Sequence, residues 1–261
     1  MSLIGECKRC GGSGVVLVEK EGTFGVYATP KPIVFTEPCP ECRGGHETKV
    51  QKVRQAAQIP PSFYDSTLED FKWNEYTTDK GELIDLSKQK AFVDSFINDY
   101  EKWRERGLGL YFWSNIRGTG KTFLASCICN ELMKRYSITT KFVSCAELIR
   151  MDQADSKQNF YKPQIEILMD CELLVLDDLG QKKMGEEWLD DILFRIIDSR
   201  YQNKKVTLCT SNIELKKIRL DDRVSDRLNK MCQPIPLPEF SFRQKESIQK
   251  KKEFFKEIGL L

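Results

Sequence analysis

The sequence has no long hydrophobic run, no visible secretion signal and almost no net charge. No segment approaches the ~20 apolar residues that a membrane-spanning helix needs. Met1–Gly14 contains Glu6, Lys8 and Arg9 and lacks the apolar core of a signal peptide. The formal net charge is only +2, so overall charge does not indicate nucleic-acid binding, although it leaves room for a local basic patch. We therefore expect a cytoplasmic protein without a membrane partner.

The composition indicates a soluble globular chain, because 40% of the residues are hydrophobic and 31% are charged. A length of 261 residues is enough for one α/β domain and a small appendage. Ten cysteines in a chain without a secretion signal argue against a disulfide framework and favour metal ligands or buried free thiols.

Changes of composition along the chain indicate its organisation. The first part is rich in Gly, Pro and Cys, and a polar, helix-prone stretch follows it. From Ile59 onward, apolar strands alternate with amphipathic helices, which is the pattern of a mostly parallel sheet. The predicted parts are a small module at residues 1–46, a linker helix at 47–58, a core at 59–243 and a basic helical tail at 244–261.

Hydrophobic periodicity predicts the elements of each part. The β-prone runs of the first part are Val15–Val18, Gly25–Tyr27 and Ile33–Phe35. The predicted strands of the core are Gly109–Trp113, Thr140–Val143, Leu173–Leu176, Lys205–Thr210 and Gln233–Leu237. The predicted helices are Lys88–Arg106, Lys121–Tyr136, Gln164–Asp170 and Gly185–Asn203.

A glycine-rich segment between a predicted strand and a predicted helix has the sequence of a phosphate-binding loop. It reads Ser-Asn-Ile-Arg-Gly-Thr-Gly-Lys-Thr and ends at Thr122. Glycines let backbone N–H groups turn toward phosphate oxygens, and the start of the helix adds a partial positive charge. Lys121 is placed to reach the β- and γ-phosphates of ATP, and the Thr122 hydroxyl to bind Mg²⁺. The predicted ATP-binding residues are Asn115, Ile116, Arg117, Gly118, Thr119, Gly120, Lys121, Thr122 and Phe123.

The loop departs from the usual pattern at its first position, where Asn115 replaces a glycine. Asn tolerates a positive φ better than other non-glycine residues, so we expect the turn to survive. A chance Gly-Lys-Thr in a surface turn is the alternative. The flanking strand and helix argue against it.

Two adjacent carboxylates follow an apolar run and support this interpretation. Leu173–Leu176 is followed by Asp177 and Asp178. An acid at the end of such a strand holds Mg²⁺ in P-loop enzymes, so Asp177 is predicted to do this through water. Asp178 is predicted to orient or activate the attacking water. The alternative is a pair of helix N-cap residues after a buried strand.

These motifs, in this order, resemble the bacterial replicative-helicase loaders of the DnaC and DnaI type and the related IstB-type transposase helper ATPases. The resemblance covers residues 59–243 and includes Ile59–Tyr64 with Thr67–Phe71 before the core, Phe142–Leu148 in its second strand and turn, and Asp177–Gly180. These families are AAA+ proteins. The resemblance therefore implies an α/β fold, with an AAA+ P-loop core built on a five-stranded, mostly parallel sheet.

The resemblance also implies roles for polar residues after the acidic pair. Asn212, which follows Thr210 and Ser211, is similar to a sensor-1 residue that contacts the γ-phosphate or the attacking water. Arg227 is similar to an arginine finger, which acts on ATP held by a neighbouring subunit, and Arg243 lies in a segment similar to sensor 2. The implied catalytic residues are Lys121, Asp177, Asp178, Asn212, Arg227 and Arg243.

Two Cys-x-x-Cys pairs in the first part predict a structural zinc site. Cys7, Cys10, Cys39 and Cys42 supply four thiolates, which fit a tetrahedral zinc ion, and the β-prone runs between the pairs would form a ribbon. Metal binding would stabilise a module with too little core to fold alone. The alternatives are His46, the only histidine, as a replacement ligand, a redox disulfide, or an iron–sulfur cluster. The other six cysteines are predicted to be buried hydrophobic residues.

The resemblance implies an ATP-dependent loader of a replicative DNA helicase. Such a protein binds ATP with Mg²⁺, single-stranded DNA and a hexameric helicase, self-assembles with ATP, and hydrolyses ATP at subunit interfaces. The alternatives are a transposase helper on duplex DNA and an ATP-switched adaptor with negligible hydrolysis. The tail, with five lysines and three glutamates, is either a solvated helix or a contact for DNA or a partner.

Overall fold

The computed structural model describes residues 15–22, 31–38, 54–136, 138–155, 164–180 and 187–257. The chain divides into two compact units, Met1–Ala56 and Ala57–Leu261. The predicted ligands Cys7, Cys10, Cys39 and Cys42, as well as His46 and the run Gly25–Tyr27, lie outside the described residues.

The first unit contains an antiparallel strand pair. β1 (Val15–Gly22) pairs with β2 (Lys31–Pro38), with Val15 opposite Pro38 and Gly22 opposite Lys31. The predicted β-prone runs at residues 15–18 and 33–35 lie within these strands. The ends of the strands that adjoin the two Cys-x-x-Cys pairs in sequence are therefore next to each other.

The second unit is an α/β domain. Its strands are β3 (Gly109–Trp113), β4 (Thr140–Ser144), β5 (Leu173–Leu179), β6 (Val206–Ser211) and β7 (Cys232–Pro236). Its helices are α1 (Ser87–Asn98), α2 (Tyr100–Arg106), α3 (Lys121–Tyr136), α4 (Cys145–Asp155), α5 (Gln164–Asp170), α6 (Glu187–Gln202), α7 (Asp222–Met231) and α8 (Phe242–Glu257). Among the described residues, no helix is both long and apolar enough to cross a membrane.

The five strands form one sheet in the order β4–β5–β6–β3–β7. Every neighbouring pair in it is parallel, so the predicted five-stranded sheet is confirmed and is parallel throughout. Parallel strands are covered on both faces, which is why β5 begins with the continuous apolar run at residues 173–176. The carboxyl ends of β3, β5 and β6 meet at one edge. The phosphate-binding loop follows β3, the acidic pair lies near the end of β5, and Asn212 follows β6.

The predicted helix Lys88–Arg106 is wrong in one respect, because the structure divides it at Asp99. This residue has φ −109° and ψ 27°, between α1 and α2. The change of direction keeps Phe96 and Tyr100 in the core, with ring centroids 5.7 Å apart. Apolar spacing alone did not reveal the break, since both helices bury residues on the same side of the domain.

The start of the core differs slightly from the predicted linker boundary. Ala57 is buried, and its carbonyl oxygen accepts a hydrogen bond from the Phe142 N–H at 2.7 Å. Gln58 has a positive φ of 60° in a turn, and Ile59 is buried directly after it. Ala57 and Gln58 therefore belong with the core unit by their contacts. Residues 47–53 of the predicted linker helix lie outside the described residues.

The cysteines of the core behave as predicted. All six are buried with free thiols, namely Cys127, Cys129, Cys145, Cys171, Cys209 and Cys232. Burial raises the pKa of the Cys127 thiol to about 12, so it is protonated at neutral pH. These side chains therefore act as small hydrophobic residues.

The least expected core residue is Arg200, whose side chain on α6 is completely buried. Its guanidinium donates hydrogen bonds to the carbonyl oxygens of Leu168 at 2.7 Å, Cys171 at 2.8 Å and Val206 at 2.6 Å. Its Nε also donates to the Thr207 hydroxyl at 3.0 Å. Arg200 thus supplies donors to buried backbone carbonyl groups at the end of α5 and the start of β6.

Arg200→Met is expected to lower the free energy of unfolding by about 3–5 kcal/mol, because it leaves several buried carbonyl groups without donors. Urea denaturation measures this change. Arg195→Met on the exposed side of the same helix is the matched control and should change stability by less than about 0.5 kcal/mol. Equal stability of the two variants would contradict the structural role of Arg200.

Candidate nucleotide-binding site

The phosphate-binding loop joins β3 to α3, and two of its glycines have backbone conformations that favour glycine. Gly118 has φ +79° and Gly120 has φ +89°. A Cβ on Gly118 would lie 2.6 Å from the Ser241 Oγ, and a Cβ on Gly120 would lie 3.0 Å from the Phe71 ring. Both positions therefore require glycine, through conformation and through close neighbours. α3 begins at Lys121, so its first N–H groups face the loop.

The expectation that Asn115 replaces glycine by adopting a positive φ is wrong. The described non-glycine residues with positive φ are Gln58, Asp178 and Lys204, and Asn115 is not among them. Its side-chain amide instead donates a hydrogen bond to the Glu239 carboxylate. The first position of this loop therefore does not need a left-handed conformation, and Asn115 ties the loop to the chain that precedes α8.

Lys121 is a buried cation held inside the loop. Its Nζ donates to the Ile116 carbonyl oxygen at 2.9 Å and to the Thr119 hydroxyl at 3.1 Å. Burial lowers the pKa of Lys121 to about 8, and the nearby Asp178 and Asp177 oppose this shift. A buried ammonium group with only neutral oxygen partners is prepared to exchange them for anionic ones.

The acidic pair lies at the end of β5, and its two members differ in environment. Asp177 is buried, and one of its oxygens accepts hydrogen bonds from the Thr122 hydroxyl at 2.9 Å and the Thr210 hydroxyl at 2.6 Å. Burial raises the pKa of the Asp177 carboxyl, and these two hydrogen bonds oppose the shift. Asp178 is exposed at the cavity, with a φ of +56°. One acid therefore faces inward and the other faces the ligand space.

Thr210 is a site residue that the motif analysis missed. Its buried hydroxyl on β6 donates to Asp177 and accepts a hydrogen bond from the Asp178 N–H at 3.0 Å. It therefore connects both acids and supports the unusual backbone conformation of Asp178. The sequence signal for Thr210 is its position as a polar residue in β6, whose side chains are all buried. A buried hydroxyl needs a hydrogen-bond partner.

These elements enclose a cavity of about 530 Å³. Residues from widely separated parts of the chain line it together: Phe63, Asp70, Phe71, Lys72, Arg117, Gly118, Thr119, Gly120, Lys121, Thr122, Phe123, Asp178, Asn212, Phe242 and Arg243. The structure thus brings Asn212 and Arg243 to the same space as the loop. Asn115 and Ile116 are not part of this lining, and Asp177 lies behind Thr122.

The aromatic end of the cavity comes from the segment before the core strands. Phe63 and Phe123 have ring centroids 5.4 Å apart, and Phe71 stacks on Phe123 at 6.3 Å. The Tyr76 hydroxyl donates to the Thr119 carbonyl oxygen at 2.6 Å, and the Asn130 amide donates to the Phe63 carbonyl oxygen at 3.0 Å. An apolar, aromatic wall beside a phosphate loop is suited to a planar base.

Arg227 lies apart from this cavity. It is on α7, and its guanidinium donates to the Asp198 carboxylate and lies over the rings of Phe194 at 5.2 Å and Tyr201 at 5.9 Å. It does not line the cavity of its own chain. Its predicted action on a neighbouring subunit therefore stays a prediction.

The oxygen donors at the site suit Mg²⁺. A threonine hydroxyl and a carboxylate next to a phosphate loop are hard ligands, and Mg²⁺ is bound by one or two such groups together with phosphates and waters. Thr122 and Asp177 already lie within hydrogen-bonding distance of each other, at 2.9 Å. Among the described residues, no group of three or more His, Cys, Asp or Glu side chains is placed to hold a metal ion by protein ligands alone.

Comparisons with known proteins agree with this geometry. The model of the family described as IstB-like ATP binding protein matches residues 46–250. The replicative helicase loader DnaC of Escherichia coli (strain K12) is 26% identical over 191 residues, which cover 71% of this chain and 72% of DnaC. The replicative helicase loader DnaI of Bacillus subtilis (strain 168) is 27% identical over 134 residues, 50% of this chain and 42% of DnaI.

A solved structure is similar as well. The crystal structure of DnaI matches with a TM-score of 0.57 and 25% sequence identity, covering 69% of this chain and 95% of that one. The family match at residues 46–250 includes the whole phosphate-binding loop and the acidic pair.

Proposed function

The chain belongs to the family of IstB-like ATP-binding proteins, and from this premise we propose that it is an ATP-dependent loader of a replicative DNA helicase. The observation that carries the proposal is the cavity that joins the phosphate-binding loop to Asp178, Asn212 and Arg243. The similarity to DnaC and DnaI, which are replicative helicase loaders, supports the choice of partner. A protein with this task acts in the cytoplasm.

In the proposed ATPase reaction, water attacks the γ-phosphorus, the bond to the bridging oxygen breaks, and ADP and phosphate leave. Lys121 exchanges its contacts with Ile116 and Thr119 for β- and γ-phosphate oxygens. Asp178 faces the cavity and orients the water or accepts its proton. Asn212 and Arg243, which line the same cavity, would contact the γ-phosphate. Thr122 and Asp177 would hold Mg²⁺, which would neutralise charge on the phosphates.

Hydrolysis is proposed to need a second subunit. Arg227 is half-buried on α7 and does not line its own cavity, which fits a finger that acts on a neighbour's ATP. Its ion pair with Asp198 would have to open for this contact. ATP-dependent self-assembly would then create the active interface, and turnover would be slow until DNA or the helicase promotes assembly.

Thr210 is expected to position both acids through its hydroxyl. Thr210→Val keeps the shape of the side chain and removes the hydroxyl, whereas Thr210→Ser keeps the hydroxyl and removes the methyl group. We expect Thr210→Val to lower kcat on the order of 10- to 100-fold and to weaken the Mg²⁺ dependence of ATP affinity, because a hydrogen bond to a charged group is lost. Thr210→Ser should retain most of both. Equal defects in the two variants would indicate a packing role instead.

The zinc site stays a prediction for the first unit. The pairing of Val15 with Pro38 supports it, because these residues adjoin the two Cys-x-x-Cys pairs in sequence. Elemental analysis should find one zinc ion per chain, held by Cys7, Cys10, Cys39 and Cys42. Finding iron, or no metal, would reject the zinc site and leave the ATP site unaffected.

A binding experiment with two candidate partners, a helicase and a transposase, tests the proposed partner. The purified chain is mixed, with and without ATP, with the hexameric replicative helicase and with a transposase from the same cell. A loader forms a complex with the helicase and binds single-stranded DNA. A transposase helper, the second candidate, binds the transposase and duplex DNA. Binding to the transposase alone would overturn the proposed function.

ATP turnover too slow to measure, even with DNA and helicase, would indicate an ATP-switched adaptor.

A further inference from the structure

α8 is an exposed helix with an unusual concentration of apolar surface. Its described side chains are all exposed from Arg243 to Glu257. It contains three of the six large hydrophobic side chains that are most exposed in the described chain, namely Ile248 at 56%, Phe254 at 54% and Phe255 at 37%. Contiguous exposed apolar surface marks binding sites, and the Phe254 and Phe255 rings are adjacent, with centroids 5.8 Å apart.

The charges of α8 are separated between its two sides. Helical spacing places Ile248, Lys252 and Phe255 on one side, since they are three, four and seven positions apart. Glu253 and Glu257 lie on the other side, about 140° and 180° away from Ile248 around the helix axis. The Glu253 carboxylate also accepts a hydrogen bond from Gln249 at 2.6 Å. Ile248 and Phe255 therefore have lysines beside them, and no described acidic side chain lies on their side of the helix.

We define the basic face of α8 as Ile248, Lys251, Lys252, Phe255 and Lys256. Lys251 borders Phe255 on one edge, and Lys252 and Lys256 border it on the other. Three ammonium groups around one exposed ring match a polyanion whose flat bases are accessible. Lysines bind the phosphates of single-stranded nucleic acid, and aromatic rings stack on its bases.

We propose that the basic face of α8 binds single-stranded DNA. Duplex DNA fits less well, because its bases are stacked inside and leave no partner for Phe255. A membrane surface fits less well too, because it requires a continuous apolar stripe, and this face has only Ile248 and Phe255. The inference rests on the proposed function in taking single-stranded DNA as a ligand, and it adds the surface that holds the strand.

The start of α8 joins this surface to the nucleotide site. The Phe242 N–H donates to the Gly118 carbonyl oxygen at 3.0 Å, and Phe242 and Arg243 line the cavity. Asn115 and Glu239 add a second connection between the loop and the chain before α8. A helix attached to the phosphate-binding loop at its first turn responds to the loop. If these contacts change when ATP binds, ATP will alter the affinity for DNA, and DNA will then alter the affinity for ATP by the same factor.

Two matched pairs of variants test the proposal in the full-length protein. Phe255→Ala removes a ring from the basic face, and Leu83→Ala removes an exposed apolar side chain outside α8. Phe254 does not serve as the control, because its ring centroid lies 5.8 Å from that of Phe255. Lys252→Glu and Lys250→Glu make the same charge change on nearly opposite sides of the helix. Fluorescence anisotropy with a labelled oligothymidylate measures affinity at several salt concentrations, and thermal unfolding checks that each variant is folded.

The basic-face variants are expected to bind the oligothymidylate about tenfold more weakly, which is within the range for one lost stacking contact. Lys252→Glu should also reduce the salt dependence, since one phosphate contact is lost. Leu83→Ala and Lys250→Glu should remain within about twofold of the wild type.

The possible outcomes separate this inference from the proposed function. If all four variants bind the oligothymidylate as the wild type does, α8 is not the DNA surface, and the helicase-binding experiment still decides whether the chain is a loader. Stronger binding of a duplex of the same length, or Phe255-dependent binding to vesicles of anionic lipid, would also overturn the assignment to single-stranded DNA.

Discussion

Lys121→Ala is expected to weaken ATP binding on the order of 100-fold or more, because the variant loses the only lysine ammonium that lies within the phosphate-binding loop. In the structure this group is buried and donates only to Ile116 and Thr119. Burial lowers its pKa to about 8, so the charge is costly without a phosphate partner. The substitution should therefore leave the fold intact or slightly stabilise it.

Isothermal titration calorimetry with ATP and Mg²⁺ measures this change, and urea denaturation monitors the fold. Lys134→Ala is the control, because Lys134 is an exposed lysine at the other end of α3. Its affinity for ATP should equal that of the wild type. Unchanged affinity in Lys121→Ala would remove the assignment of the loop as the ATP site.

Arg227→Ala is expected to lower DNA- or helicase-stimulated hydrolysis by about 10³-fold, while the affinity of the monomer for ATP stays near normal. The reason is the position of Arg227, which does not line the cavity of its own chain. The proposed finger therefore stabilises charge at the site of a neighbouring subunit. In the single chain the guanidinium is held in an ion pair with Asp198, which the proposed contact with a second subunit would have to open.

A mixing experiment tests action between subunits. Arg227→Ala chains have an intact ATP site, and Lys121→Ala chains have an intact finger, so one kind of mixed interface contains both. The mixture should recover part of the stimulated activity that each variant lacks alone. Arg223→Ala, four positions earlier on α7, is the control, since Arg223 is held by Asp221 at 2.9 Å. Loss of activity in Arg223→Ala with full activity in Arg227→Ala would show that Arg223, and not Arg227, is the arginine finger.

The sequence predicted the elements that depend on local signals. Apolar runs predict the strand before the phosphate-binding loop and the strand that carries Asp177, and the glycine-rich segment predicts the start of the helix after the loop. The order β4–β5–β6–β3–β7 was not predicted, because spacing along the chain does not determine which strands become neighbours. The break at Asp99 was also missed, since the apolar side continues across it.

The missed site residues depend on contacts across the fold. Thr210 and Asp177 are far apart in sequence, and only the pairing of β5 with β6 brings the hydroxyl to the carboxylate. Asn115 was interpreted through its own backbone, whereas its partner is Glu239. Arg200 has no sequence signal at all, because its partners are backbone carbonyl groups. Motifs therefore identify the groups that touch the ligand, and the fold reveals the groups that position them.

The measurement that tests the central claim most directly is the transfer of helicase to closed circular single-stranded DNA, which has no end for a ring to thread. Purified hexameric helicase is incubated with the circle, with and without this protein and ATP, and DNA-bound helicase is quantified after gel filtration. The proposed function predicts that helicase is retained on the circle only when the protein and ATP are both present, and that Lys121→Ala chains do not support retention. Helicase that stays off the circle in the presence of the protein and ATP, or that is retained equally without them, would contradict it.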